Sequence, residues 1–194
     1  MNSKTVFLAS SSPRRQELLA QMGVEFSVLD APIDETPIES EDAAQFVTRM
    51  AREKSQQGAQ QLTDEGCWVI AGDTAIVLDG EIIGKPEDPS DAQRMLRELS
   101  GRTHQVYSSV AVWHLGVLEV ALNITDVVFT ELAETEIKNY IATGEPLDKA
   151  GGYAIQGEAA KWIKAINGSY YGVMGLPIFE LNRILQEMGF YDPV

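Results

Sequence analysis

The sequence predicts an α/β protein, a mixed β-sheet with helices on both faces. Three observations carry this. Cys67-Trp68-Val69-Ile70-Ala71 is a continuous apolar run, the mark of a strand covered on both faces. The stretches from Thr103 to Trp113 and from Val117 to Thr130 alternate and are rich in valine and aromatics, with a turn near Gly116, so they read as a long hairpin. Around them lie segments with apolar residues at helical spacing, bounded by capping residues, proline and glycine.

Taken in order, Thr5 to Ala9 reads as a short buried strand. Ser12 then caps a helix whose first residue is Pro13, whose inner face is Leu18, Leu19 and Met22, and which stops at Gly23. Glu25 to Leu29 is a second strand. In Ala31–Pro37 two prolines exclude a regular element and leave Asp34 and Glu35 on a stiffened loop. Ser40 reads as the cap of a long helix through Phe46, Val47, Met50 and Lys54 toward Gly58. The apolar strand terminates in Gly72-Asp73-Thr74, with Ala75 to Leu78 continuing extended. Asp79-Gly80 is a hairpin turn that returns the chain through Glu81-Ile82-Ile83 to Gly84-Lys85-Pro86. Ser90 and Gln93 form a capping box for a helix from Asp91 to Leu99. Glu131 to Ala142 has helical spacing and ends at Gly144-Glu145-Pro146. The glycine-rich stretch Asp148–Gly157 precedes a strand near Lys161 to Ile166, and a helix from Ile178 to Met188 closes the chain. With no repeat and no long linker, one domain over residues 1–194 is expected.

A formal net charge of −14 argues against nucleic acid or an anionic membrane as the main partner, because both need a basic face. Several of the scarce basic residues fall together, in Arg14-Arg15, Arg49-Arg52-Lys54 and Lys85, where a small anion can be concentrated; solvated helix charges are the competing reading, and the preferred one for Arg49 and Arg52. The lone Cys67 lies in an apolar strand and fits core packing and a reducing compartment. Two histidines without a cysteine or histidine cluster argue against a zinc site. No apolar stretch of about 20 residues is present, so a soluble cytoplasmic protein is expected.

Three places carry chemistry. Ser10-Ser11-Ser12-Pro13-Arg14-Arg15 joins a strand to a helix start; its serines and free amides suit an anion, which would also compensate two arginines of the wrong sign for the helix dipole. Asp73 follows an apolar strand, which in an open α/β sheet puts it at the ligand-binding edge, to hold a metal or move a proton; a turn-capping role is the competing reading. Glu35 or Asp34 can join it in holding Mg²⁺ or Mn²⁺. Lys85, between Gly84 and Pro86, sits on a rigid platform suited to a phosphate, and Lys54 can serve likewise.

Together these pieces resemble the Maf family of nucleoside triphosphate pyrophosphatases. The resemblance runs over almost the whole chain and rests on Leu8–Arg15, Ile33-Asp34-Glu35, Ala51-Arg52-Glu53-Lys54, Ala71-Gly72-Asp73-Thr74, Gly84-Lys85-Pro86, Ser100-Gly101, Tyr153-Ala154-Ile155-Gln156-Gly157 and Gly175-Leu176-Pro177. It implies a long, bent mixed sheet in two lobes around a cleft, the Maf/ITPase-like fold, and a homodimer. It implies hydrolysis between the α- and β-phosphates of a nucleotide with a divalent cation. In that resemblance Asp73 is the general base and Glu35 the acid across the cleft. Ser10, Arg14, Arg15, Lys54 and Lys85 surround the triphosphate, and Arg14, Thr74 and Gln156 match the subgroup acting on dTTP and UTP. A glutamine amide suits the imide edge of uracil or thymine, since it offers both a donor and an acceptor. Two other readings compete: a nucleotidyltransferase, which needs a second substrate, and a nucleotide-binding regulator that arrests cell division.

Overall fold

The computed structural model describes residues 4–64 and 66–191. The apolar run is the start of a strand, β3 (Trp68–Leu78), that is 11 residues long and does not stop at Gly72-Asp73-Thr74. Those three residues stay in the ladder because β5 (Thr103–His114) pairs with β3 without a break from Trp68↔His114 to Val77↔Gln105. Gly72 marks a close approach rather than an end. A Cβ there would stand 3.0 Å from the Ser109 carbonyl oxygen and 3.4 Å from Arg15 Nε.

The other edge of β3 is covered in two separate pieces. β1 (Val6–Leu8) runs parallel to it as far as Leu8↔Ile70 and is flanked by β2 (Ser27–Val28). After Asp79-Gly80, both in the left-handed region, β4 (Glu81–Ile83) pairs antiparallel from Ile76↔Ile83 onward. Between them, residues 71–75 have a strand neighbour on one side only. Beyond β5 follow β6 (Val117–Phe129) and β7 (Ile163–Asn167), giving a mixed seven-stranded sheet in the order β2-β1-β3-β5-β6-β7 with β4 on β3.

Helices cover both faces, as expected. α2 (Ala43–Gln60) buries Val47, Met50, Ala51 and Ser55 against one face, beside Cys67 and the β3 residues Val69 and Ala71. On the other face the core has two centres. α1 (Pro13–Gln21) and α6 (Ile178–Glu187) pack Leu18, Leu19, Leu181 and Leu185 on Ile70 and Val110. α3 (Pro89–Leu99) and α4 (Glu134–Ala142) pack Leu96, Leu99, Ile137 and Tyr140 around Ile76, Val106 and Phe129. Each such side chain contributes about 1.5–3 kcal/mol of burial, so both ends of β3 are firmly anchored while its middle faces the gap between them.

Several element boundaries differ from the sequence reading. Asp42, not Ser40, caps α2, because its carboxylate accepts from Gln45 N–H while Ser40 lies at φ 67. α2 also runs past Gly58, which is buried so that the helix can approach Val69. α3 is capped by Asp88 instead of a Ser90–Gln93 box, and α4 begins at Glu134. A short helix, α5 (Tyr170–Met174), stands where none was expected. No helix of the described residues is long and apolar enough to cross a membrane.

Candidate active site

Adjacent residues in a strand point to opposite faces, so Asp73 and Thr74 diverge at the uncovered edge of β3. Asp73 turns toward α2. There Lys54 Nζ donates to Asp73 Oδ1 at 2.8 Å and also meets Glu35 Oε1 at 2.8 Å. The Lys54 and Asp73 side chains are each 13% exposed and Glu35 is 61% exposed. The pair is therefore mostly dry and its third member reaches in from solvent. Asp34 faces elsewhere: its carboxylate accepts from the Thr36 N–H at 2.9 Å, and hydrogen bonding to the Thr36 side chain and then to that N–H holds it below the usual carboxylate range. The structure thus brings Glu35 and not Asp34 to the edge.

This donor set suits a hard divalent ion. Two carboxylates already converge on one cation, Lys54, and Mg²⁺ ordinarily takes one or two carboxylates with phosphate and water completing its shell. Among the described residues no third acidic or histidine side chain joins them.

Thr74 turns to the other face, toward the start of α1. Ser12 has the extended backbone of a cap and Pro13 follows it, but its side chain makes no capping bond; the Ser12 N–H donates instead to Ser10 Oγ at 3.2 Å. Arg15 then bridges three elements, donating from Nε to Gly175 O at 2.8 Å, from Nη1 to Ser10 Oγ at 3.3 Å and from Nη2 to Thr74 Oγ1 at 3.4 Å. No carboxylate of the described residues forms an ion pair with it. Burial pulls its pKa down, and the charges of Asp73 and Glu35 oppose that shift. A partly buried guanidinium held only by neutral oxygens is suited to an anionic partner.

Arg14 behaves differently from its neighbour. It makes no hydrogen bond or ion pair within the described residues, and its charge acts on Tyr140 and Asp148 across the gap. Thr74, grouped with Arg14 and Gln156 by the resemblance, has its hydroxyl engaged within the protein. That hydroxyl already accepts from Arg15, shares a hydrogen with Ser108 Oγ at 3.1 Å and donates to Gly175 O at 3.3 Å. Ser108 and the Gly175 carbonyl are thus part of the site. Nothing local in the sequence pointed to Ser108, since its partner lies across a strand pair.

The far wall carries Lys85 and Gln156, both exposed and neither bonded to any described residue. Their backbones are fixed. Pro86 is buried, and the Gly84 carbonyl accepts from the Gly151 N–H at 2.9 Å, tying the end of β4 to the glycine-rich stretch. Gln156 sits in a turn closed by Gly157 N–H to Ala154 O at 3.1 Å, with Ile155 in the first core centre and Tyr153 in the second. Tyr153 is held in turn by His104 Nε2 at 2.7 Å; burial takes His104 down to about 4.

The α/β sheet is thus split along one edge, with a carboxylate pair on one side of the split and a partly buried arginine and a helix start on the other. Residues 5–188 match the family model described as Maf-like protein, and the chain belongs to the Maf family. It is 49% identical over 195 residues to a Chromobacterium violaceum protein named dTTP/UTP pyrophosphatase, covering 99% of this chain and 98% of that one. A Shigella sonnei protein of the same name is 47% identical over 181 residues, covering 93% and 91%. The structure of the Staphylococcus aureus Ham1 protein superposes with a TM-score of 0.56 at 15% identity, over 95% of this chain and 100% of that one, and so shares its fold.

Proposed function

We propose that the chain is a nucleoside triphosphate pyrophosphatase acting on dTTP and UTP, releasing the nucleoside monophosphate and pyrophosphate. The names of its full-length relatives support the substrate, and one observation carries the chemistry: Asp73, Lys54 and Glu35 meet at an uncovered strand edge beside the unpaired charge of Arg15.

In this reading Ser10, Arg15 and the first amides of α1 receive the triphosphate, with Lys85 closing on it from the far wall. Their charges neutralise the phosphate oxygens as the leaving pyrophosphate gains charge. Asp73 orients the attacking water and takes its proton. The water oxygen bonds to the α-phosphorus as the bond to the bridging oxygen breaks. Lys54 fixes the rotamers of Asp73 and Glu35 and offsets part of their repulsion. A divalent cation bound by Asp73 and Glu35 would supply Lewis-acid polarisation of a phosphoryl oxygen and lower the pKa of a bound water. Gln156 and Arg14 meet the base and its surroundings, while Thr74 acts through Arg15. Pyrophosphate release from dTTP and UTP tests this: Asp73→Asn should lower it by about 10²–10⁴-fold, the span of lost general-base catalysis. An unchanged rate would remove the mechanism.

A further inference from the structure

One carboxylate in the far wall has no part in this chemistry. Glu145 opens a 3-10 turn (Glu145–Asp148) after α4, and its own main chain is pinned: the N–H donates to Thr143 Oγ1 at 3.1 Å and the carbonyl accepts from Lys149 Nζ at 2.8 Å. The side chain leaves that turn for another. Its Oε1 accepts from the Tyr140 hydroxyl at 2.9 Å and its Oε2 from the Glu158 N–H at 3.2 Å. Between these bonds the carboxylate lies against Gly157, where a Cβ would fall 1.7 Å from Oε1. Any residue but glycine at 157 would evict it.

The segment so gripped is the one that presents Gln156. Because the Gln156 side chain bonds to none of the described residues, its position at the site is set by the backbone of its turn. Upstream that turn is anchored by Tyr153 and Ile155, both buried. Downstream, the side-chain anchor is the Glu145 carboxylate. Tyr140, its other partner, and Asp148, at the end of the same 3-10 turn, are the groups on which Arg14 acts across the gap. Glu145 therefore lies behind the turn that presents Gln156.

We propose that Glu145 is a positioning residue for base selection, holding the Gln156 turn at the height where its amide meets the imide edge of uracil or thymine. This rests on the role of Gln156 proposed above. A carboxylate can accept from Tyr140 and Glu158 together; a glutamine can keep both bonds by accepting from Glu158 N–H and donating to the tyrosine oxygen, whereas alanine keeps neither.

The test is the ratio of kcat/KM for UTP over CTP, two nucleotides that differ only at the base edge, in the wild type and in Gln156→Ala, Glu145→Ala and Glu145→Gln. Glu145→Ala should lower the ratio by about tenfold, mainly through KM for UTP, and Glu145→Gln should keep it within about twofold. A general loss of stability would instead lower both rates together. A Glu145→Ala ratio equal to wild type, or a Glu145→Gln ratio as low as that of alanine, overturns the proposal. If Glu145→Ala does not fold, Tyr140→Phe removes one of the two bonds while keeping the ring in the core, and should lower the ratio by about threefold; no change would again overturn it. Should Gln156→Ala leave the ratio untouched, the role of Gln156 fails and this proposal with it. An effective Gln156→Ala beside a silent Glu145→Ala overturns the role of Glu145 alone.

Discussion

Lys54 and Arg15 stand on opposite sides of the same strand edge, and their surroundings are inverted. Lys54 is matched twice over, by Asp73 and by Glu35, each at 2.8 Å. Arg15 has three bonds and, among the described residues, no ion pair: the Gly175 carbonyl and the hydroxyls of Ser10 and Thr74 are all neutral, and the charges of Asp73 and Glu35 reach it only from a distance. One side is therefore a cluster of matched charges, and the other, in the reading proposed above, receives the phosphates. A ligand that is both anionic and metal-bearing satisfies both sides at once, which a bare anion or a bare cation does not.

The contrast breaks most severely at Arg15. Arg15→Ala should cost about 10³-fold in kcat/KM, and Arg15→Lys should recover little because a point ammonium cannot span three acceptors. A lysine that restores full activity would show the fork to be dispensable. Next in size is Lys54→Met, expected to lower kcat/KM by about 10²-fold while tightening Mn²⁺ binding without nucleotide by about fivefold, since the carboxylate pair loses its internal cation. Manganese titration reads this directly, and weaker binding would show that Lys54 helps the metal rather than competing with it.

The scaffold titrates separately from the site. His104 is buried at about 4 against an ordinary value of 6.5, so acid protonates the unfolded chain first. Stability should be whole above pH 6.5 and fall as pH drops toward 4, by about 3 kcal/mol in all. His104→Phe should flatten that slope in chemical denaturation, whereas an unchanged slope would place the acid sensitivity elsewhere. The smallest effect belongs to Asp34→Asn, within about twofold of wild type in kcat/KM, because its carboxylate serves a surface turn; a large loss would put Asp34 at the edge in place of Glu35.

The sequence made strong periodic elements legible: the β5–β6 hairpin, the Asp79-Gly80 turn and the buried face of α2 were all read from local pattern. Caps were misread where several candidates crowd together, as with Ser40 and Asp42, because only backbone geometry decides which side chain reaches the third amide. Gly72-Asp73-Thr74 looked like a strand end since glycine and aspartate disfavour strands, yet pairing with β5 overrides that preference. Of the site, the residues themselves could be named from motifs. Their division into a paired side and an unpaired side could not, because it depends on Asp73 and Thr74 facing opposite ways in one strand. Partners such as Ser108 for Thr74 and Glu158 for Glu145 are joined only by tertiary structure.

The bare stretch at residues 71–75 has a further consequence for the protein in solution. Unpaired strand edges invite a second chain to add itself, which begins aggregation. Here the unpaired length is short, its ends are closed by β1 and β4, Ala71, Gly72 and Ala75 are buried, and the Asp73 carboxylate, held by Lys54, stands in the middle. Asp73 is thus also a gatekeeper, and preparations of Asp73→Asn should self-associate more readily than the wild type at equal concentration.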